Sequence, residues 1–560
     1  MTIRKALILA AGRGARLGRL TEALPKPMLR VHERPALEEH VRRLAAAGVR
    51  EIWINLHHAA GHIRRHFSDG SAFGVSIRYS EEAALLGTAG ALAKLAHEFR
   101  GAPFFLVYGD NYIELDYSAF ATRARGVLTM LLHHRDYVAQ SGVAECSADG
   151  RILRFQEKPA PGTEVSHSVN AGVYVCAPAV LDYLPEGVSD FAKDILPRML
   201  ADGCELYGVE SPVPVIPLDT PQMLAEADPL WVAQIGAGRI GTRRVATFPH
   251  VATVADVDLD RAQELAASCG AIAFANWRDA IADPRVRVVS VATTNDLLAP
   301  VSRRALELGK HVLVEKPAAL HVAELQPLIE LAATHGLVYQ AGFNYRFHPA
   351  MQRVKQLLNE GVIGRLLHAT ARHGHGGRLG LEREWRADPA RSGGGEFLDQ
   401  GVHLIDLARW FAEDEVKSVH AILRTDFWPI EPLEDHALAW LEMTRGARVS
   451  LELSLTQWKN LFSFELVGER GTLLIEGLGG SYGPERLTWI ERRPEFGVPI
   501  RHPIEDFPNP GDCWSAQWLE MERAIRGGDI PCGSAADSLA ALRTIEACRC
   551  SSKERRAVEP

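Results

Sequence analysis

The chain has 560 residues, enough for roughly two to four domains of ordinary size. Hydrophobic residues make up 47% and charged residues 24%, a balance typical of globular proteins that excludes a disordered, collagenous or disulfide-stapled chain. The formal net charge of −8 excludes the broadly basic surface of a typical nucleic-acid-binding protein. Eight scattered cysteines predict reduced thiols and a cytoplasmic location, and the lack of an apolar run of about 18 residues argues against a membrane span.

Two segments begin in the same way, with a short apolar run that leads into glycines and then a helical pattern. Residues 5–10 (KALILA) precede a glycine- and arginine-rich turn, and residues 230–235 (LWVAQI) precede GAGRIG. This order is typical of the start of an α/β unit. We therefore place a boundary near Asp228, in a short polar stretch with a proline, and predict domains at 1–228, 229–350 and 351–560.

The domain 1–228 alternates strands and helices in the pattern of an α/β fold. Its apolar runs predict strands at 5–10, 52–56, 104–108, 128–133 and 172–176. Helical periodicity is found around 36–48, 88–98 and 190–202.

The second part opens as α/β and then changes character. Its first apolar runs predict strands, with helices between them, at 231–235, 251–256, 287–292 and 311–314. After about residue 365, β-rich segments follow with few helices between them, at 366–373, 416–427, 436–444, 447–455, 461–467 and 472–476. We predict an α+β domain with an open antiparallel sheet, a helical return near the C-terminus and a frayed tail at 551–560.

Glycines and basic residues near the N-terminus have the features of an anion-binding site. Gly12 and Gly14 allow backbone N–H groups to approach a phosphate closely, and Arg13, Arg16 and Lys26 supply positive charge. Lys26 stands between two prolines, which restrict the backbone around it. A glycine turn alone would fit a solvated loop, but the combination predicts binding of a triphosphate.

This segment resembles the signature of the sugar-1-phosphate nucleotidyltransferases, and most closely the mannose-1-phosphate guanylyltransferase-like ones. The motifs that carry the resemblance follow in the family's order: LAAGRGARL at 9–17, PKP at 25–27, LGTAG at 86–90, YGD at 108–110, EKP at 157–159, NAG at 170–172 and DFAKD at 190–194. The resemblance covers most of residues 1–228. It implies a Rossmann-like fold that transfers a nucleotidyl group from a nucleoside triphosphate to a sugar-1-phosphate, with release of pyrophosphate.

The same resemblance implies roles for individual residues. Asp110 would hold Mg²⁺, Arg16 and Lys26 would stabilise the leaving pyrophosphate, and Lys158 would hold the sugar phosphate. Asp219, in PLDTP at 217–221, is interpreted as a second Mg²⁺ ligand, although this segment lacks the glycine that the family often has there. The implied nucleotide and sugar contacts are Ala10, Ala11, Gly12, Gly14, Gly87, Thr88, Gly109, Glu157, Asn170 and Gly172.

GAGRIG at 236–241 follows a predicted strand and precedes a predicted helix, as in a dinucleotide-binding turn. Asp256 ends the next strand, about 20 residues after Gly236, at the spacing of a carboxylate that binds the adenine ribose. A carboxylate at this place favours NAD over NADP. The alternative is a glycine turn with an ordinary surface aspartate. The predicted cofactor contacts are Gly236, Gly238, Arg239, Ile240, Gly241 and Asp256.

Further motifs resemble the Gfo/Idh/MocA oxidoreductases. They are GKHVLVEKP at 309–317, NYR at 344–346, GVIG at 361–364, GGGEFLDQGVHLID at 393–406 and GERG at 468–471. The resemblance covers about residues 230–550. It implies an NAD-binding Rossmann domain, an α+β domain, and transfer of a hydride to or from a sugar or nucleotide sugar.

Lys316, Asp399 and His403 would surround the carbon that exchanges the hydride. Asp399 and His403 are four residues apart and would share one face of a helix. His403 or Lys316 would take or give the hydroxyl proton, and Asp399 would orient His403 or the substrate. The resemblance also implies cofactor contacts, although ATTN at 292–295 lacks a proline and a following histidine common in the family. These contacts are Thr293, Asn295, Glu315 and Lys316, with substrate contacts at Tyr345 and Arg346.

Together these motifs predict a bifunctional enzyme with small-molecule substrates, Mg²⁺ in the first half and NAD in the second. We expect no nucleic-acid or membrane partner and a homo-oligomer, either a dimer or a tetramer. Two alternatives stay open. In one, only the oxidoreductase is active and the N-terminal half binds nucleotide sugars as a regulatory domain; in the other, the protein is a non-catalytic NAD(H) sensor. The segment RHGHGGR at 372–378 fits either a loop or a contact with an acidic substrate such as a nucleotide diphosphate.

Overall fold

The computed structural model describes residues 2–32, 34–493, 497, 500–502, 504–508 and 512–560. The chain divides into two compact units, Met1–Pro229 and Leu230–Pro560. Within the described residues, no helix is both long enough and apolar enough to cross a membrane.

The first unit is built on a mixed sheet whose centre is the strand Lys5–Leu9. This strand pairs in parallel with Phe104–Tyr108 on one side and Glu51–Leu56 on the other. The strand order is Ile152–Glu157, Gly142–Cys146, Ser168–Cys176, Phe104–Tyr108, Lys5–Leu9, Glu51–Leu56 and Ser76–Glu81. Outside this order, Leu128–His134 pairs with both Ser168–Cys176 and Leu206–Glu210. Buried clusters lie on both faces of the sheet, which explains why its central strands are continuous apolar runs.

Helices cover this sheet, and a short two-stranded sheet stands beside it. The α-helices are Ala36–Ala46, Ala60–Phe67, Gly87–Lys94, Ala96–Phe99, Tyr117–Thr122, Leu196–Ala201 and Pro221–Ala227. Tighter or wider helical turns are found at Ala15–Thr21, Lys26–Met28, Ser71–Phe73, Pro178–Tyr183 and Phe191–Ile195. The two-stranded sheet pairs Asn111–Ile113 with Val215–Pro217 in antiparallel register, and a second small pair joins Arg30–Val31 to Arg34–Pro35.

The second unit opens with a parallel sheet of the doubly wound type. Its strand order is Ile272–Phe274, Val251–Ala255, Trp231–Ile235, Val286–Val291, His311–Val314, Tyr339–Ala341. The helices between and after these strands are Arg239–Val245, Leu259–Cys269, Trp277–Ile281, Asn295–Glu307, Val322–Thr334 and Pro349–Asn359. The order reverses at Trp231–Ile235, where open α/β sheets bind their ligands.

A large, mostly antiparallel sheet follows. Its strand order is Val416–Arg424, His436–Met443, Arg448–Ser454, Leu366–Gly374, Leu461–Gly468, Gly471–Glu476, Glu485–Glu491 and Ile500–Arg501. The strand Glu505–Phe507 also pairs with Glu485–Glu491. One pair departs from the expected antiparallel pattern, because Leu366–Gly374 runs parallel to Arg448–Ser454. After Gly374 the chain leaves the sheet and forms the helices Pro389–Ser392, Glu396–Asp399 and Gly401–Ala412. It then forms two other strands before Arg448–Ser454, which pairs with Leu366–Gly374 in the same direction.

The last two helices close the second unit. Cys513–Gly527 packs Trp518 and Met521 into the cluster that contains Val232 and Val254 of the parallel sheet. Ala535–Glu554 begins with a capping box formed by Ser534 and Asp537. Cys513–Gly527 therefore returns to the parallel sheet. Ala535–Glu554 instead packs along the edge strand Val416–Arg424 of the antiparallel sheet, where the hydroxyls of Ser551 and Ser552 accept the N–H groups of Ala421 and Leu423.

The expectation of a frayed tail is wrong. Val558 exchanges two backbone hydrogen bonds with Val419, at 2.8 and 3.0 Å. The buried Ser551 hydroxyl donates to the Arg556 carbonyl at 2.6 Å. The charged composition of the tail did not reveal that its backbone adds to the edge of the antiparallel sheet. The fold class itself, α/β followed by α/β and α+β, is confirmed.

Candidate active sites

The first unit carries a cleft at the carboxyl ends of its central parallel strands. Gly14 adopts a left-handed conformation (φ 63°), which turns the loop after Lys5–Leu9 back over Lys26. The Ala10 N–H donates to Asn55 Oδ1 at 2.6 Å and thereby fixes the start of this loop. The cleft is lined by Leu9, Ala11, Gly12, Lys26, Pro27, Asn55, Glu82, Leu85, Gly87, Thr88, Tyr108, Asp110 and Asp190.

Three predicted residues, Lys26, Asp110 and Asp219, meet at this cleft. The buried Lys26 Nζ donates to Asp110 Oδ2 at 2.7 Å and to Asp219 Oδ1 at 2.8 Å. Arg16 Nη2 also donates to Asp219 Oδ1, at 3.0 Å. The antiparallel pairing of Pro217 with Asn111 brings Asp110 and Asp219 together, since Asp110 precedes Asn111 and Asp219 follows Pro217 by two residues.

The charges of this cluster stabilise one another. Burial by itself lowers the pKa of Lys26, but Asp110 and Asp219 raise it above its ordinary value. Burial likewise raises the pKa of Asp219, but Lys26 and Arg16 bring it below its ordinary value. The Lys26 ammonium therefore lies between two carboxyl groups, whose oxygens are hard donors of the kind that Mg²⁺ prefers. Among the described residues there is no group of three or more metal-ligating side chains, but a magnesium ion that shares substrate phosphates needs only one or two.

Gly87 and Thr88 lie at the start of a helix that packs on the segment around Ser189. A Cβ at Gly87 would overlap the carbonyl oxygen of Ser189. Thr88 Oγ1 donates to Asp190 Oδ2 at 3.0 Å and accepts the Phe191 N–H at 2.6 Å. The LGTAG and DFAKD motifs thus form one wall of the cleft.

The predicted sugar contacts lie on neighbouring strands. Gly172 packs over Tyr108, whose ring a Cβ would approach to 2.8 Å, and its N–H donates to Asn170 Oδ1 at 2.9 Å. Burial raises the pKa of Glu157. Lys158 has an exposed side chain with Nζ 4.0 Å from Glu157 Oε1. Gly109 stays close to the central strand by donating its N–H to the Leu9 carbonyl at 2.9 Å.

In the second unit, the glycine turn connects Trp231–Ile235 to the helix Arg239–Val245. Gly236 has φ 95°, and any side chain there would overlap the carbonyl oxygen of Ala292. A Cβ at Gly241 would overlap the Gly236 carbonyl, whereas the space next to Gly238 is open. Asp256 Oδ2 accepts the Ala237 N–H at 2.7 Å. This open cradle beside a carboxylate fits a dinucleotide.

Three of the expected cofactor residues have hydrogen-bond partners inside the protein. Asn295 Nδ2 donates to the Ser392 carbonyl at 2.8 Å and is buried. Glu315 Oε1 accepts Arg244 Nε at 2.9 Å and Nη2 at 2.5 Å. Thr293 Oγ1 donates to the neighbouring Thr294 carbonyl at 3.1 Å. The side chain of Asn295 therefore anchors the start of its own helix to Ser392, and the side chain of Glu315 anchors the loop that carries Lys316.

Lys316 and Asp399 form the centre of the second site. Lys316 Nζ donates to Asp399 Oδ1 at 2.5 Å and also contacts the Asp399 backbone carbonyl. Arg386 Nε and Gln400 Nε2 donate to the other oxygen, at 3.4 and 3.3 Å. Burial by itself raises the pKa of Asp399, but Lys316 and Arg386 bring it far below its ordinary value.

His403 is not on the same helix as Asp399, contrary to the expectation. Asp399 ends Glu396–Asp399, and His403 belongs to the next helix, Gly401–Ala412. The imidazole is only 3% exposed and stacks on Tyr345, with ring centroids 3.9 Å apart. Burial and the Lys316 charge hold its pKa well below the ordinary value, so it is neutral. Asp399 thus pairs with Lys316 and not with His403.

Three family models match the chain. The nucleotidyl transferase model matches residues 5–213, the NAD-binding Rossmann fold of an oxidoreductase family matches residues 230–343, and the GFO/IDH/MocA C-terminal domain matches residues 351–474. Inositol 2-dehydrogenase 3 from Saccharopolyspora erythraea is 30% identical over 253 residues, which cover 44% of this chain and 72% of that protein. The chain joins a nucleotidyl transferase domain to a Gfo/Idh/MocA oxidoreductase.

Two further proteins illustrate the similarity of each half. A UTP–glucose-1-phosphate uridylyltransferase from Synechocystis is 34% identical over 222 residues, 37% of this chain and 57% of that protein. The crystal structure of an aldose-aldose oxidoreductase from Caulobacter crescentus has a TM-score of 0.52 and 26% identity, and covers 59% of this chain and 99% of its own. The chain spans about half the length of the first curated relatives that it matches, 57% and 44%. The family membership inferred from the motifs is confirmed.

The oxidoreductase site also contains buried polar residues that the motifs did not indicate. Tyr345 OH lies 3.3 Å from His373 Nε2 and donates to Gln400 Oε1 at the same distance. His373 Nδ1 and Glu396 Oε1 are both buried without a hydrogen-bond partner and are 3.6 Å apart. Burial raises the pKa of Glu396 to about 8 and lowers that of His373 to about 4. His373 lies in the segment RHGHGGR and Glu396 lies three residues before Asp399, but neither residue was predicted to belong to the site.

Arg346 has a different role from the one expected. Its guanidinium donates to Asp406 Oδ2 at 2.8 Å and Oδ1 at 2.6 Å, and lies 3.2 Å from Asp537 Oδ1. Arg346 and Asp406 are both buried. A buried arginine whose planar fork is bound by carboxylates holds helices together and is not available to a sugar. The expected substrate contact at Arg346 is therefore replaced by a structural ion pair, while Tyr345 remains at the site.

In the transferase domain, Asn55, Glu82 and Asp190 line the cleft but were not selected as site residues. Asn55 Nδ2 donates to Glu82 Oε1 at 2.8 Å, and Glu82 Oε2 accepts the Leu86 N–H at 3.0 Å. Asn55 and Glu82 lie near the carboxyl ends of parallel strands, the place where such sheets bind ligands. This positional rule indicates the two residues, although no local motif does.

Replacing Glu396 by glutamine tests its protonation. Because its folded pKa is raised to about 8, the neutral carboxyl stabilises the folded state below its ordinary pKa, and this contribution is lost as the pH rises through about 8. We expect the free energy of unfolding of Glu396→Gln to increase relative to wild type between about pH 5 and about pH 8.5. Urea unfolding at both pH values measures it, with Glu382→Gln as the exposed control. A difference that does not change with pH contradicts the prediction.

Replacing Arg346 by methionine tests the structural ion pair. The change leaves Asp406 buried without its partner, and we expect a loss of about 3–5 kcal/mol in the free energy of unfolding. Arg365→Met, which removes a solvent-exposed pair with Glu469, serves as the control and should cost about 0–1 kcal/mol. Equal effects of the two substitutions in urea unfolding would show that the buried pair is not needed for stability.

Proposed function

We propose that this protein has two activities. The transferase domain couples a nucleoside triphosphate to a sugar-1-phosphate and releases pyrophosphate. The oxidoreductase domain oxidises or reduces a sugar or nucleotide sugar with NAD(H). The observation that supports the first most directly is Lys26 between Asp110 and Asp219; for the second it is Lys316 paired with Asp399 in a domain that also carries the dinucleotide cradle.

In the first reaction, a sugar-phosphate oxygen attacks the α-phosphorus in line, and pyrophosphate leaves. The backbone of Gly12 and Gly14 binds the phosphates, and Lys26 and Arg16 neutralise the charge that develops on the leaving group. Asp110 and Asp219 would hold Mg²⁺, which would polarise the phosphate oxygens. In this proposal Lys26 exchanges its contacts with the two carboxylates for contacts with the phosphates of the substrate.

The sugar phosphate is held on the other side of the cleft. Lys158, which is exposed and carries the charge that a phosphate needs, binds it. Glu157, Asn170 and the Gly172 backbone contact the sugar hydroxyls. Thr88 and Gly87, fixed against the segment around Ser189, face the nucleotide.

In the second reaction, a sugar carbon loses a hydride and its hydroxyl loses a proton to become a carbonyl, or the reverse. The bound nicotinamide supplies or accepts the hydride. Lys316 takes or gives the proton, because its ammonium is held at the site by Asp399 whereas His403 is buried and neutral. His403 and the stacked Tyr345 then form a polar wall that orients the sugar.

The proposed cofactor is NAD rather than NADP. Asp256 places a carboxylate beside the glycine turn, where it would accept hydrogen bonds from ribose hydroxyls and repel a phosphate. Gly236, Gly238, Arg239, Ile240 and Gly241 form the turn and the first residues of the helix after it. The homo-oligomer and the cytoplasmic location remain predictions from the sequence.

Removing one carboxylate of the first site tests the transferase proposal. We expect Asp219→Asn to lower pyrophosphate release at least about 100-fold, because the Mg²⁺ site loses a charged ligand. The measurement uses purified protein, Mg²⁺ and a panel of GTP, CTP, UTP, dTTP and ATP against sugar-1-phosphates. Asp136→Asn, an exposed aspartate of the same domain, is the matched control. Release at the wild-type rate from Asp219→Asn would remove Asp219 from the metal site.

Replacing the lysine of the second site tests the oxidoreductase proposal. We expect Lys316→Ala to lower NADH formation about 100- to 10,000-fold, the contribution of a positioned acid or base. NAD binding measured by calorimetry should stay close to wild type, and Lys417→Ala provides an exposed lysine as control. A wild-type protein that binds NAD but reduces it with no sugar or nucleotide sugar of a broad panel would favour the sensor alternative.

A further inference from the structure

The segment 375–386 begins and ends in the oxidoreductase site. At its first end His375 Nε2 lies 3.9 Å from Glu396 Oε1, and at its second end Arg386 Nε lies 3.4 Å from Asp399 Oδ2. Between these ends the chain extends outward, and Leu379 is 96% exposed. Side chains that pack against this segment therefore lie at the edge of the site.

Two large aromatic rings pack there and face solvent. Phe427 and Trp458 form an edge-to-face pair with centroids 5.1 Å apart, and they are 60% and 67% exposed. We call this pair the aromatic rim. A Cβ on Gly376 would lie 3.4 Å from the Trp458 ring, so the segment passes directly beside the rim.

The rim is held by the structure around it. Trp428, the neighbour of Phe427, donates its indole N–H to the Leu455 carbonyl at 3.0 Å. Gly377 packs on the same indole, since a Cβ there would approach it to 2.7 Å. Leu381, Ile430 and Leu455 form a small buried cluster against Trp428. The exposed rings of the rim thus stand on an ordered base.

A paired aromatic surface beside an active site favours a ligand with a flat ring. Single exposed aromatic side chains are common and need no explanation, but an ordered pair offers a stacking surface for a base. Arg386, at the other end of the segment, supplies positive charge 3.4 Å from Asp399, the partner of Lys316. A nucleoside diphosphate sugar has a group for each of these features: a sugar for the site around Lys316, a charged diphosphate for Arg386 and a flat base for the aromatic rim.

We propose that the aromatic rim binds the base of a nucleoside diphosphate sugar whose sugar ring is oxidised or reduced at Lys316. This inference rests on the proposed function, because the product of the proposed transferase reaction has this chemistry. The reaction that supplies the oxidoreductase with substrate is then a nucleotidyl transfer to a sugar-1-phosphate, and free sugars are poor substrates.

The test compares the double variant Phe427→Ala/Trp458→Ala with Trp440→Ala. Trp440 is a matched control, because it is 66% exposed in the strand His436–Met443 of the same domain. Calorimetry with NADH present measures the binding of UDP-glucose, GDP-mannose, ADP-glucose, CDP-glucose and dTDP-glucose. We expect wild type and Trp440→Ala to bind two equivalents of the accepted nucleotide sugar, one in each domain. In the double variant one of them should bind at least about fivefold more weakly.

Further variants separate the possible results. Trp458→Phe keeps a stacking ring and should restore much of the affinity, and the thermal midpoint of each variant shows that it is folded. A wild type that binds one equivalent, which the double variant weakens, supports the rim while contradicting the proposed transferase site. Unchanged affinities and stoichiometry in the double variant, or no binding to any of the proteins, would overturn the inference. So would a change of oligomeric state in the double variant with binding retained, which would assign the rim to a subunit interface.

Discussion

A lysine ammonium buried against aspartate carboxylates organises each half of this protein. Removing an ammonium from water is costly unless an opposite charge and hydrogen bonds compensate for it. Lys26 has Asp110 and Asp219 within 2.8 Å, and Lys316 has Asp399 at 2.5 Å. In both halves the requirement for compensation brings together residues that are far apart in the chain. The same arrangement places a cationic side chain next to an acid in each half, a combination that phosphate and proton chemistry use.

The scaffold around each lysine serves this pairing. In the transferase domain, the antiparallel pairing of Asn111–Ile113 with Val215–Pro217 sets Asp219 beside Asp110. In the oxidoreductase domain, Arg244 binds Glu315, the residue before Lys316, and so holds the loop that presents the ammonium. Arg244 also donates to Gln517 Oε1 at 3.0 Å, which connects the site to the last part of the chain. The returning helix Cys513–Gly527 is therefore part of the support of the site as well as of the core.

The second site combines groups with different tendencies to ionise. Asp399 stays charged because of Lys316 and Arg386, whereas burial keeps His403 and His373 neutral and raises the pKa of Glu396 to about 8. Such a separation is typical of a site in which one group holds charge while another exchanges a proton. It also explains why Lys316 is the better candidate for proton transfer than His403. The unpartnered atoms of His373 and Glu396 lie 3.6 Å apart, so two buried polar groups next to Asp399 stay without a hydrogen bond.

The sequence by itself determined the order of the domains, the central strands and both glycine turns, since these depend on local apolar runs and on backbone positions that only glycine can occupy. It also indicated Lys26, Asp110 and Lys316 through ordered motifs. Only the tertiary structure decided that Asp219 reaches Lys26, that Arg346 and Glu315 are used in internal ion pairs, and that the tail joins the sheet. It also revealed the cluster of His373 and Glu396 and the rim of Phe427 and Trp458. Charge compensation and burial act between residues distant in the chain, and no local pattern records which partner a charged side chain will meet.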